Sequence, residues 1–264
     1  MLPSSPPPPN TPPPDPRVEL HARFSTNKQG MAAWFLQQLD LPANAKILEL
    51  GCGSANFWLV NLRAIPSGWH VTLTDASPER YADPQRVLHQ DKGFSFQTVD
   101  PNKSLPFDDA SFDAVIGLHL LNRLENIPAT LKEIQRVLKP KGKLYAAAYG
   151  EKHMDELYFL FLRFNPQVAT VGGRVTKQMK FSLENGSKQL REVFWDVQLR
   201  RYEDALEVTH ARPLFDYILA MSGLAADAEN QASLYTLAAF IDQEVKEKGS
   251  IHITKAEGVF VAVK

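Results

Sequence analysis

The chain has 264 residues, with 29 Lys and Arg against 30 Asp and Glu, a net charge of −1, and 44% hydrophobic and 22% charged residues. That length and balance suit one α/β domain with additions, or a domain plus a small cap, and argue against wholesale disorder. They leave no global basic field for a polyanion, and the single cysteine, Cys52, excludes an intramolecular disulfide and a cysteine-rich metal site.

The expectations for the whole chain follow: no metal, no nucleic-acid partner, no membrane span and a reducing, cytoplasmic home. The first residues lack a basic stretch followed by an apolar segment, and the longest strongly apolar run, Leu157 to Leu162, is too short to cross a bilayer.

Nine of the first sixteen residues are proline, which cannot donate backbone hydrogen bonds and prefers extended polyproline II. Residues 1–15 are therefore expected to be a disordered tail, and 16–264 the folded body. Met31 to Leu39 has helical apolar spacing, and short apolar runs follow at Lys46–Leu50, Trp69–Thr74, Phe94–Val99, Phe112–Leu118 and Lys143–Tyr149. A helix is expected from about Pro128 to Leu138, ended by Pro140 and Gly142, with its terminal lysines complementing the helix dipole.

Beyond Tyr149 the pattern predicts a helix over Glu151–Phe164, a polar loop around Gly172 and Gly173, a helix after Ser182 and an extended stretch over Asp196–Thr209 that the acidic Glu203-Asp204 pair interrupts. Helices over about Pro213–Met221 and Gln231–Lys248 then precede a closing strand pair turning at Glu257-Gly258. Strands alternating with helices give an α/β fold: a doubly wound, mainly parallel sheet with extra C-terminal helices as a cap at about 151–249. The Arg200-Arg201 pair reads as charge on a strand at the sheet edge.

The first strand ends in Glu49-Leu50-Gly51-Cys52-Gly53-Ser54, where an open parallel sheet binds ligands outside the carboxyl ends of its strands. Two glycines there let the backbone approach a ligand or serve a plain turn. Asp75 ends the second strand, where a carboxylate can take both hydroxyls of a ribose, or cap the turn formed with Ala76-Ser77-Pro78. Asp100 holds the same place after the third strand. Of two nucleoside cofactors, a dinucleotide wants G-x-G-x-x-G, and Asn56 stands at its last position. S-adenosylmethionine has no phosphate, and its cationic groups suit Glu49.

These residues resemble the class I S-adenosylmethionine-dependent methyltransferases of the type-11, ubiquinone/menaquinone-biosynthesis-like group. The resemblance runs from about Arg23 to Gly150 and rests on ILELGCGS, VTLTDASP, LPFDDASFDAVIGLHLL and LKEIQRVLKPKGKLYAA. It implies a Rossmann-like fold and S-adenosylmethionine as cofactor. It places Glu49, Gly51, Cys52 and Gly53 at the methionine portion, Asp75 and Ala76 at the ribose, Asp100 near the adenine, and Gly117 to Leu120 beside the transferred methyl. Ala55 departs from the family's glycine and is expected to keep an ordinary negative φ. Leu118 and Arg123 stand where relatives carry polar or histidine side chains.

His119 and His153, just past the fourth and fifth strands, are the candidate general bases, and a hydrogen-bonded loop role is the alternative for each. Phe24, Trp34, Tyr149, Met154, Tyr158 and Phe161 are candidate walls of an apolar acceptor pocket, or plain core. Methyl transfer to a small-molecule acceptor leads; a non-catalytic nucleoside-binding module and an RNA methyltransferase are the alternatives.

Overall fold

The computed structural model describes residues 15–90, 93–164, 179–222 and 231–264. The described chain runs α1 (Pro16–Phe24), α2 (Met31–Gln38), β1 (Lys46–Leu50), α3 (Asn56–Asn61), β2 (His70–Asp75), α4 (Ala82–Leu88), β3 (Phe94–Thr98) and β4 (Phe112–Leu118). It continues with α5 (Ile127–Val137), β5 (Leu138–Tyr149), α6 (Asp155–Phe164), α7 (Gly186–Arg191), β6 (Asp196–Val208), α8 (Ala211–Ser222), α9 (Gln231–Lys248) and β7 (Ile251–Val263).

The seven strands form one sheet in the order β3-β2-β1-β4-β5-β7-β6. Strands β1 to β5 pair in parallel, and β7 pairs antiparallel to β5, with Tyr149 opposite Glu257 and Ala147 opposite Val259. This is the expected doubly wound sheet of Rossmann-like type. Alternate strand residues point to opposite faces, and both faces are buried. Leu48, Val115, Ala146 and Phe260 join Leu131 and Ile134 of α5 in one cluster. Ile47, Ile116, Ala147 and Val259 join Phe35, Phe57 and Trp58 of α2 and α3 in the other.

The described residues divide into two compact units. The larger takes the described parts of Gln29–Met154, Thr176–Asp204 and Lys255–Lys264 and contains both core clusters. The smaller takes those of Met1–Lys28, Asp155–Val175 and Ala205–Thr254; in it α1 packs on α8, and α8 on α9.

Helix α1 begins at Pro16, where Asp15 caps it: the Asp15 carboxylate accepts from the Arg17 amide at 2.9 Å, with Pro16 at the first helical position. Four expectations need correction. The helix expected from Glu151 starts at Asp155, since the preceding turn ends in Met154 with φ 57°. The Lys139-Pro140-Lys141-Gly142-Lys143 run is part of β5 rather than a helix end; Lys139 pairs with Asp113 of β4 at 2.8 Å and Lys143 with Asp40, in the loop after α2, at 2.7 Å.

The extended stretch from Asp196 is one strand, unbroken at Glu203-Asp204, because Lys255 neutralises Asp204. The closing strand pair is one continuous strand, Ile251–Val263. Gly258 sits inside it because a side chain there would come within 2.7 Å of the Arg200 carbonyl. Residues 1–14 of the expected tail and the loop around Gly172 and Gly173 lie outside the described residues.

Candidate functional site

The turn after β1 is built from backbone conformations that side chains resist. Gly51 has φ 73° and Gly53 φ 52°, both in the left-handed region that glycine enters freely. Ala55 joins them with φ 48° and ψ 26°, so the expected negative φ is overturned. The cause is the tight turn that starts α3: the Ala55 amide donates to the Cys52 carbonyl at 2.8 Å, while the Ala55 carbonyl accepts from the amides of Trp58 and Leu59. A left-handed alanine costs roughly 1–2 kcal/mol. Space above the turn is uneven. A Cβ on Gly53 would meet nothing within 4 Å, whereas one on Gly51 would come within 3.0 Å of Leu120 Cδ1.

Asp75 organises this turn. Its Oδ2 accepts from the Gly53 amide at 3.0 Å and its Oδ1 from the Ser77 amide at 3.0 Å. The Cys52 amide donates to the Thr74 carbonyl at 2.8 Å, so the ends of β1 and β2 are tied twice. Asp75 is buried, because the turn folds over it. Ala76 beside it is exposed. Asp100 folds back on its own loop, accepting from the Asn102 amide at 3.0 Å with Lys103 nearby at 3.5 Å. These bonds hold its carboxyl below the usual range.

Glu49 lies beneath the turn, 1% exposed, and receives a short hydrogen bond from the Trp58 indole. Burial pushes its carboxyl up to about 7, with the Trp58 bond opposing and the nearby Asp75 charge adding to the rise. Cys52 is a buried packed residue whose thiol is pushed far up by burial and by the charges of Glu49 and Asp75, so it is no nucleophile. Gly117 is buried one strand over, where a Cβ would sit 3.6 Å from Leu120.

His119 follows β4 with φ 54° and its ring stacked on Tyr149, centroids 3.9 Å apart. Among the described residues its Nδ1 has no hydrogen-bond partner, and burial lowers the imidazole pKa to about 4, with Arg123 adding to the effect. Tyr149 in turn meets the His153 ring at 4.1 Å. The structure thus brings the two candidate histidines together through one tyrosine, at the carboxyl ends of β4 and β5. The candidate walls are divided: Trp34, Tyr149 and Met154 belong to the larger unit, and Phe24, Tyr158 and Phe161 to the smaller.

The sequence reading missed a group that β6 and β7 bring to the same sheet edge. Lys255 Nζ binds Asp204 at 2.7 Å and approaches Glu257 Oε1 at 3.8 Å, while Glu257 Oε1 lies 3.9 Å from His153 Nδ1. Tyr202 is 2% exposed, with the Lys255 ammonium 5.5 Å over its ring. A lysine and a glutamate two residues apart in the apolar ITKAEGVFVAV run was the available signal, since both must share one face of a buried strand. In the smaller unit, α8 and α9 enclose a cavity of about 760 Å³ lined by His210, Arg212, Phe215, Leu234 and Tyr235 among others. No helix among the described residues is long and apolar enough to cross a membrane.

Residues 48–146 match the family described as methyltransferase domain. A demethylmenaquinone methyltransferase of Corynebacterium glutamicum is 31% identical over 137 residues, 50% of this chain and 56% of its own length. A highly reducing polyketide synthase of Penicillium polonicum is 38% identical over 106 residues, 38% of this chain and 4% of its own. The match thus spans about half the length of the one relative and a small part of the other. Among solved structures, the YcgJ protein of Bacillus subtilis superposes over 88% of this chain and 97% of its own at a TM-score of 0.57 and 14% identity, a likeness of fold.

Proposed function

We propose that this chain, whose residues 48–146 match the family described as methyltransferase domain, transfers a methyl group from S-adenosylmethionine to a small-molecule acceptor by in-line displacement. The observation that carries the reading is the turn over Glu49: Gly51 and Gly53 at positive φ, braced by Asp75, with open space at Gly53 and a buried carboxyl below. Among the described residues this turn offers backbone groups and the carboxyls of Glu49 and Asp75, which fit a cationic amino-acid nucleoside better than a pyrophosphate.

When bound, the cofactor supplies an activated methyl carbon. Glu49 would balance its cationic end and Asp75 its ribose, through the oxygen lone pairs left beside the Gly53 and Ser77 bonds. Asp100 would lie toward the adenine, and Gly117 and Leu120 would pack near the reacting carbon. The protein's work is then alignment and exclusion of water. His119, whose imidazole is neutral at pH 7, has a free nitrogen lone pair or N–H to offer the acceptor.

Titration calorimetry with S-adenosylmethionine, S-adenosylhomocysteine and NAD tests the cofactor assignment. The expected result is binding of the first two and none of the third. Turnover of a labelled methyl group against a metabolite extract tests transfer itself, and cofactor binding with no labelled product from any extract would favour a non-catalytic binding module.

A further inference from the structure

The methyl-transfer reading leaves the charged group on β6 and β7 without a task. Its cost is evident: Lys255, Asp204 and Glu257 have side chains exposed by 7%, 0% and 8%, and burying charges is unfavourable unless they are matched. Lys255 faces two carboxylates and is bonded closely to one of them, Asp204, at 2.7 Å. The contacts of Glu257 are both long, 3.8 Å to Lys255 and 3.9 Å to His153. Burial raises the Glu257 pKa, with Lys255 opposing the shift and Asp204 adding to it.

A second observation comes from Tyr202. Its hydroxyl is buried and has no hydrogen bond of full geometry among the described residues, although the Gly30 amide faces it. Burial and the charges of Asp204 and Glu257 push the phenol up to about 12, and its ring lies 5.5 Å from the Lys255 ammonium that contacts both carboxylates. A buried hydroxyl normally finds a partner.

This group also connects to the cofactor turn. Leu120 abuts Gly51; His119 precedes Leu120 and stacks on Tyr149; Tyr149 is the register partner of Glu257 and touches His153. The walls along this line are aromatic, with Trp34 5.3 Å from Tyr202.

Building on the methyl-transfer reading, we propose that Glu257, flanked by Asp204, Lys255 and the Tyr202 hydroxyl, receives the ammonium group of a small primary or secondary amine, and that this amine is the methyl acceptor. An ammonium balances the second carboxylate, donates to the Tyr202 oxygen and lies against aromatic faces that favour cations. An ammonium nitrogen has no lone pair, so it first gives one proton to Glu257 Oε1. The freed pair then forms the C–N bond to the methyl carbon as the C–S bond breaks and its electrons go to sulfur. The product is the methylated ammonium, and Glu257 later returns its proton to solvent.

The test is calorimetric titration of phenethylammonium, 2-phenylethanol and phenylacetate into the full chain saturated with S-adenosylhomocysteine. Phenethylammonium is expected to bind at least about tenfold more tightly than either counterpart. Glu257→Gln should remove that preference, and Tyr202→Phe should reduce it severalfold, while S-adenosylhomocysteine affinity and Tm stay near those of the parent. Tyr202→Phe, which removes a hydroxyl that lacks a full hydrogen bond, keeps the test open should Glu257→Gln fold poorly. Equal binding of the three probes, or a preference untouched in both variants, overturns the proposal. A parent that fails to bind S-adenosylhomocysteine overturns the methyl-transfer reading instead.

Discussion

The carboxylate of Asp75, on β2, accepts a hydrogen bond from the backbone amide of Gly53, in the turn after β1, at 3.0 Å. The residue expected to hold a ligand therefore also holds the loop that forms the ligand's bed. Asp75→Ala would leave the Gly53 and Ser77 amides without their acceptor. The variant should lose about 1–3 kcal/mol of stability, and its cofactor affinity should fall by more than the loss of ligand contacts alone predicts. Urea midpoints combined with calorimetry separate the two effects: a fully stable variant with weakened binding would return Asp75 to a ligand role only.

Ala55 carries the strain of the same turn. Ala55→Gly relieves a left-handed alanine but enlarges the unfolded ensemble, so the net gain in stability should be about 0.5–1 kcal/mol. Cofactor affinity should change by less than about tenfold, because the backbone already has the required conformation. A thermal-melting shift upward, with little change in titration, is the expected pair of results.

Two groups titrate in opposite senses beside the turn. Glu49 is raised from 4.5 to about 7, so the folded chain holds its proton more tightly than the unfolded one. Its contribution to stability is complete below pH 4.5 and lost as pH rises through 7. His119 is lowered from 6.5 to about 4, so its contribution is complete above pH 6.5 and lost as pH falls through 4. Between about pH 4.5 and 6.5 the two oppose each other. Glu49→Gln should remove the decline toward alkaline pH, worth up to about 3 kcal/mol at pH 8, and His119→Phe should flatten the acid limb. Stability curves of each variant across pH 4 to 8 check both signs.

Gly186 opens α7 under the rings of Phe181 and Phe260, where an added Cβ would approach within 2.7 Å of each. Overpacking a filled core costs about 1–3 kcal/mol. Gly186→Ala should lower the urea midpoint accordingly without altering cofactor binding, since the clash lies in the core cluster on the α5 side of the sheet.

How far the sequence alone reaches is visible in particular residues. Strands β1 and β4 and helix α9 have the bounds that their apolar patterns predict, because each pattern is long or closed by glycine, proline or a polar turn. The glycine turn, Asp75 and the two histidines were located correctly at strand ends, because in a parallel sheet position along the chain fixes position at the edge. Helix α1 was hidden by the prolines before it, although Asp15-Pro16 is a helix-start signature. The φ of Ala55 depends on the hydrogen bond to Cys52, and composition gives no sign of it. The approach of Lys255 to Asp204 joins residues 51 positions apart through strand neighbours that the sequence does not specify.

The strand order has a consequence for how the chain is assembled. Strand β7 is last in sequence, yet it fills the place between β5 and β6. During synthesis the long β5, with Tyr145, Ala146, Ala147 and Ala148 along it, must wait with its hydrogen-bonding edge open until residues 251–263 have been made. An unpaired apolar edge is a template for pairing with other chains, so the interval before β7 docks is when nascent molecules are most exposed to association. The late-arriving strand also carries Lys255 and Glu257, so the charged cluster and the closed edge are completed in a single event.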